Sequence, residues 1–191
     1  MSDLFFENKV FEKIDFSVEK LPRGEYDNCT FINCEFSNSN LSNYAFLECE
    51  FDSCNLSMTK FENSSLKDIN FKNCKLLGIH FYEVDAFLLA LNFDECDLNL
   101  ASFYKLKLKN IKFINCKLIE VDFTETNLTS SIFTNCDLNG AIFNNTLLEK
   151  SDFRTSYNYA MNPEINSIKK AKFSLQGLPG LLGKYGIEVE I

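Results

Sequence analysis

The sequence predicts an all-β fold, a four-sided β-solenoid of about seven coils. Three observations predict it. Apolar residues recur at every fifth position, the cysteines recur at every twentieth, and Phe dominates the core candidates, with 20 Phe, no Trp and only 7 Gly in 191 residues. Such a chain is long enough for one domain with a sizeable core.

The five-residue beat runs unbroken from Phe31 through Phe36, Leu41 and Phe46 to Phe81, and again from Leu88 through Phe93 and Leu98 to Phe153. Two residues before most of these centres stands a smaller residue, often Cys, Ser, Thr or Ala. The remaining positions are mostly polar. A period of five fits neither the 3.6-residue helix nor the two-residue strand alternation. A chain that turns a corner every five residues satisfies it, with the centre and the residue two before it pointing inward.

The cysteines show how many corners close one coil. All eight stand two before a centre, and Cys34, Cys54 and Cys74 are 20 apart, as are Cys96, Cys116 and Cys136. Four pentapeptides therefore make one coil. The step from Cys74 to Cys96 is 22, so two residues are inserted, and the sequence places them in Tyr82–Phe87. With that correction the centres form four columns, which define four faces in chain order. The first holds Phe11, Phe31, Phe51, Phe71, Phe93, Phe113, Phe133 and Phe153; the fourth holds Tyr26, Phe46, Leu66, Leu88, Leu108, Leu128 and Leu148. The second and third mix Leu and Phe.

A solenoid needs caps at its open ends. Residues 1–153 are expected to form the solenoid with its N-terminal cap, loosened at Leu21-Pro22-Arg23-Gly24. Residues 154–191 are expected to form a C-terminal module. There Ala171-Lys172-Phe173 echoes the repeat once, and Pro179 and Gly186 bracket a short helix. Leu178, Leu181, Leu182 and Tyr185 would share one helical face, and Ile187–Ile191 alternates as an edge strand.

The pattern of small, polar, Leu or Phe, polar, polar resembles the pentapeptide repeat family over roughly residues 11–153. The resemblance implies a right-handed quadrilateral β-helix. The terminal helix followed by Gly186-Ile187-x-Val189 resembles the C-terminal module of the quinolone-resistance (Qnr-type) members. It implies a homodimer joined end to end, with Leu178, Leu181, Leu182, Tyr185, Ile187 and Val189 at the interface. Members of that group bind DNA gyrase or topoisomerase IV, some of them through long loops that this chain lacks.

Catalysis needs a positioned acid, base, nucleophile or metal. The single His80 stands beside the inward Phe81 and so points outward. The cysteines lack C-x-x-C spacing and read as small inward packing residues. No phosphate-binding Gly-rich loop is present. The expectation is a non-enzyme without metal or cofactor. A net charge of -8 argues against direct nucleic-acid or anionic-membrane binding. No secretory signal or membrane-spanning run is visible, so the expected location is the cytoplasm.

Charge distribution is the remaining signal. From Glu25 to Asp52 there are six acidic residues and no Lys or Arg. A second tract, between Lys117 and Lys150, holds Glu120, Asp122, Glu125, Asp137 and Glu149. A basic stretch from Lys105 to Lys117 lies between them. The second tract is the candidate partner-binding surface, by mimicry of duplex DNA towards a type II topoisomerase. The alternative is a scaffold for an unrelated protein partner, which the basic stretch favours.

Overall fold

The computed structural model describes residues 4–187. The chain winds into a right-handed, four-sided parallel β-solenoid. Two parallel sheets carry the regular hydrogen bonding. One contains β1 (Leu4–Glu7), β3 (Gly24–Asp27), β5 (Ala45–Leu47) and β7 (Ser65–Lys67), stacked in that order. The other runs β2 (Val10–Glu12), β4 (Thr30–Ile32), β6 (Glu50–Asp52), β8 (Ile69–Lys72), β9 (Leu91–Asp94), β10 (Lys112–Ile114) and β11 (Ile132–Thr134). These strands build the fourth and first faces. Single parallel bridges build the second and third, as from Asp15 to Glu35 and on to Asn55.

The pairings repeat the 20-residue step read from the cysteines, and those that cross the insertion step by 22. Phe31 pairs with Phe51, and Phe113 with both Phe93 and Phe133. The Phe113 ring lies 5.3 Å from Phe93 and 5.0 Å from Phe133, nearly parallel to both. Against Phe103 of the opposite face it stands edge-on, at 5.8 Å and 78°. Stacked and edge-to-face contacts are the geometries aromatic rings prefer. Alternating them around the coil fills the interior, and Phe113 is fully buried.

The corners explain the abundance of Asn. The residue two after most centres adopts a positive φ, as at Asn33 (53°), Asn73 (51°) and Asn115 (52°). Asn tolerates this left-handed region better than other residues with a Cβ. Leu100 occupies the same position at φ 62° with an exposed side chain.

The small inward position has a second requirement that spacing did not reveal. Where it is Cys, Ser or Thr, its side chain donates a hydrogen bond to the centre carbonyl of the coil before. Thr59 Oγ1 donates to the Phe36 carbonyl at 2.8 Å, Thr126 Oγ1 to Phe103 at 2.8 Å, and Cys74 Sγ to Phe51 at 3.2 Å. Cys, Ser and Thr are therefore interchangeable here as small donors. All eight cysteines are free and buried. Burial pushes the Cys49 thiol up to about 12, so it remains a protonated donor.

The insertion lies one corner later than the sequence suggested. The register continues through Asp85, which bridges Ser65, and resumes where Leu91 pairs with Ile69. The extra residues fall between Ala86 and Leu91. The corner bulges there, so Leu88 is not a core residue: it is 65 % exposed at φ 58°, and Phe87 is 66 % exposed. Leu89 instead packs partly against the core. Two surplus residues cannot both point inward within a fixed coil.

The C-terminal boundary also shifts. The 20-residue register does not stop at Phe153. Leu147 bridges Ser167, Asp152 bridges Lys172, and Phe173 stacks on Phe153 at 5.5 Å. The helix is shorter than its apolar pattern implied. It comprises α1 (Pro179–Leu182) and a 3-10 turn at Gly183–Tyr185, closed by Gly186 at φ 61°. Gly180 permits its docking. A Cβ there would fall 2.1 Å from the Tyr159 carbonyl oxygen, and the Gly180 carbonyl accepts the Met161 amide at 2.9 Å. The expected edge strand beyond Ile187, with Val189, lies outside the described residues.

Four substitutions test this packing. Phe113→Ala is expected to lower unfolding free energy by about 3–5 kcal/mol in urea titration, and Phe113→Asp to yield no native protein, because a buried carboxylate would have no partner. Leu100→Asn relieves a strained corner and is expected to raise the unfolding free energy by up to about 1 kcal/mol, read as a higher urea midpoint. Gly180→Ala should lift the cap, seen as faster hydrogen exchange of the Met161 amide with exchange at Phe113 unchanged.

Candidate interaction surface

Each five-residue repeat exposes one residue before its centre and two after it. Stacking therefore arranges the surface in rows whose members are 20 apart in sequence. On the second face one row reads Asp15, Glu35, Asn55, Lys75, Asp97, Lys117, Asp137 and Tyr157, bridged in that order. Its later half alternates in sign.

The five carboxylates of the Glu120–Glu149 tract do not form one surface. Glu120 stands exposed on the corner between the second and third faces, at φ 56°. Asp122 follows on the third face, Asp137 lies one coil on in the second face, Glu125 stands on the corner after the third face, and Glu149 on the fourth. Several are already engaged. Asp122 accepts the Thr124 amide at 2.9 Å, and Asp137 accepts the Asn139 amide at 3.2 Å and Asn158 Nδ2 at 2.9 Å. The same turn-closing bond recurs from Ser42 to Asn40 and from Thr129 to Asn127. Asp122 and Asp137 thus hold corners. Glu125 pairs with Lys105 at 3.6 Å, and Glu149 accepts Ser167 Oγ at 2.9 Å. Consecutive carboxylates in sequence wrap around the rod, which is why the tract disperses.

The Glu25–Asp52 tract behaves differently. Glu35 goes to the second face, where Ser37 and Asn55 bond it. The other five gather on the fourth and first faces over two successive coils. Glu25 and Asp27 lie on β3, Glu48 on the corner after β5, and Glu50 and Asp52 on β6. Glu25, Glu48 and Glu50 are exposed. The clue was available in the sequence, since the stretch from Glu48 to Asp52 spans a single corner. Further along the same faces the sign reverses, with Lys107, Lys109, Lys112, Lys150, Arg154, Lys169, Lys170 and Lys172 outnumbering Glu149 and Asp152.

The predicted C-terminal interface is divided between two roles. Leu181 packs against the core of its own chain. Tyr185 donates its hydroxyl to Glu164 Oε1 at 3.0 Å, and Lys184 pairs with the same carboxylate. Leu182 is half-buried, whereas Leu178, Tyr185 and Ile187 are exposed. Part of the module thus packs on its own last coil while Leu178 and Ile187 stay exposed, a division that the apolar spacing alone did not show. Among the described residues no helix is long and apolar enough to cross a membrane.

Comparison with known proteins follows this geometry. No curated protein matches the sequence. Among solved structures, full-length QnrB1, a plasmid-mediated fluoroquinolone resistance protein, is 20 % identical, with 96 % of this chain and 100 % of that chain covered and a TM-score of 0.47. HetL from the cyanobacterium Nostoc, a pentapeptide repeat protein involved in heterocyst differentiation regulation, is 10 % identical over 93 % of this chain and 89 % of that one, with a TM-score of 0.47. The sequence signature of the pentapeptide repeat region matches residues 25–86 and 86–162, most of the solenoid. The chain belongs to the pentapeptide repeat family.

Proposed function

We propose that this protein is a non-catalytic binding solenoid whose N-terminal acidic half engages a cationic protein surface. The observation that carries this reading is the local charge density. Glu25, Asp27, Glu48, Glu50 and Asp52 occupy adjoining faces over two coils. Two coils at about 4.8 Å each span about 10 Å, a length on which duplex DNA carries about six charges. The match is local. Lys67 and Lys72 interrupt it in the next coil, and the whole rod carries only -8.

A protein that binds duplex DNA through a basic groove presents the complementary surface. A type II topoisomerase is the partner we infer. That assignment rests on the charge density and on the resemblance of the Gly186-Ile187-x-Val189 end to Qnr-type members. A second reading, a scaffold for another protein partner, is favoured by the basic later half of the same faces. Association with either partner is steered by charge and weakens as salt rises.

Binding to purified gyrase, measured by fluorescence anisotropy with and without competing duplex DNA, tests the proposal. Native protein is expected to bind and to be displaced by DNA. Glu48→Lys with Glu50→Lys reverses two exposed charges that form no ion pair among the described residues and is expected to weaken binding at least tenfold while the circular dichroism spectrum persists. No binding at tens of micromolar would overturn the topoisomerase assignment in favour of the scaffold.

A further inference from the structure

Successive coils are joined around the third face by a repeating set of backbone bonds, and the first pair of coils lacks them. Between the second and third coils, the Asn38 amide donates to the Ser57 carbonyl, Lys60 to Ser39, Leu41 to Lys60 and Asn43 to Glu62, at 2.9 to 3.0 Å. The 20-residue register assigns the same bonds to Val18 with Ser37, Asn40 with Glu19, Leu21 with Asn40 and Arg23 with Ser42. None of these four forms among the described residues. The Val18 and Glu19 amides turn back onto the Asp15 carbonyl instead, and the Leu21 and Pro22 carbonyls accept the hydroxyls of Tyr44 and Tyr26. The chain from Ser17 to Arg23 thereby bows away from the second coil. That coil is left with an unbonded amide at Asn40 and unbonded carbonyls at Ser37, Asn40 and Ser42, counted over the described residues.

The bowed segment and this open edge together line a cleft of about 490 Å³, a size that suits a small ligand. Lys20 and Arg23 line it and no acidic residue does, in a chain whose net charge is -8. Both cations are exposed and form no ion pair among the described residues. Of the neighbouring acids, Asp15 is held by the amide and hydroxyl of Ser17, and Glu19 stands outside the lining. Arg23 lies close enough to the Tyr44 hydroxyl to oppose the rise that burial gives its pKa.

We propose that this cleft binds a short, extended acidic peptide, which adds to the open edge of the second coil. Addition of a strand to a free edge is a general mode of peptide capture. Asn40 offers both its amide and its carbonyl, as a residue bridged in a parallel ladder does. The Ser42 carbonyl continues that edge, and the Ser37 carbonyl lies around the corner. Free carbonyls call for N–H donors, which a peptide backbone supplies and a phosphate ion lacks. Lys20 and Arg23 call for carboxylates. An acidic peptide meets both needs at once. Binding is weak and falls as salt rises, because the cations are exposed. The inference does not rest on the topoisomerase reading. The cleft is cationic and lies on the third face, whereas the carboxylates of that reading lie on the fourth and first.

Fluorescence anisotropy with a labelled Glu-Ala-Glu-Ala-Glu peptide tests the proposal. Native protein should bind it, and should bind the Lys-Ala-Lys-Ala-Lys peptide at least tenfold more weakly. Lys20→Glu with Arg23→Glu should weaken capture of the acidic peptide at least tenfold. Both side chains are exposed, and circular dichroism checks that the fold is kept. A Glu-Ala peptide N-methylated along its backbone should also bind at least tenfold more weakly, since it cannot donate to the open edge. On native protein, the Asn40 amide resonance should move with the acidic peptide and stay in place with inorganic phosphate at equal ionic strength. No binding at several millimolar peptide overturns the proposal, as does equal binding of the basic peptide or by the double variant. Equal binding of the N-methylated peptide, or an equal shift with phosphate, would reduce the cleft to ion pairing and overturn it as well.

Discussion

Everything in this molecule depends on one register, the stacking of each residue on the residue one coil away. Parallel backbone bonding fixes the coil spacing near 4.8 Å, and side chains at equivalent positions then lie directly over one another. An aromatic ring suits that spacing. Phe31 and Phe51 have ring centroids 4.7 Å apart and planes within 9° of parallel. A column of such rings excludes water continuously. It has no interior end except at the two caps, where Phe6 stacks on Tyr26 and the glycine-bearing helix seats against Tyr159.

The register also solves the polar problem of the interior. A narrow coil brings backbone carbonyls close to buried side chains, and an unpartnered buried polar group is destabilising. The inward Cys, Ser and Thr residues are small enough to leave room for the centres and still bond those carbonyls. The cysteine ladder is thus a hydrogen-bonding device of the core. Its thiols are neither paired as disulfides nor exposed for chemistry. The corners show the same economy, with Asn accommodating positive φ and Asp or Asn closing the turn.

Function follows from what the register does to the surface. Residues adjacent in sequence diverge around four faces, while residues 20 apart become neighbours. The Glu120–Glu149 carboxylates were continuous along the chain and are scattered on the rod. Those from Glu48 to Asp52 span one corner and meet Glu25 and Asp27 from the preceding coil. Lys107 and Lys169 lie far apart in sequence yet share a face with Glu25. The bipolar fourth face arises from this folding of the charge pattern.

The sequence by itself determined the solenoid, its four columns, the 20-residue coil and the presence of two surplus residues. Those properties depend on a period that every coil repeats, so each coil confirms the last. Only the tertiary structure decided where the surplus residues leave the core, expelling Phe87 and Leu88. It also decided that the register continues to Phe173 and that Leu181 turns towards its own chain. Each is a single event, without repetition to reveal it. The choice depends on whether a given side chain finds space inside one particular coil, and steric fit of that kind is settled only when the neighbouring coils are in place.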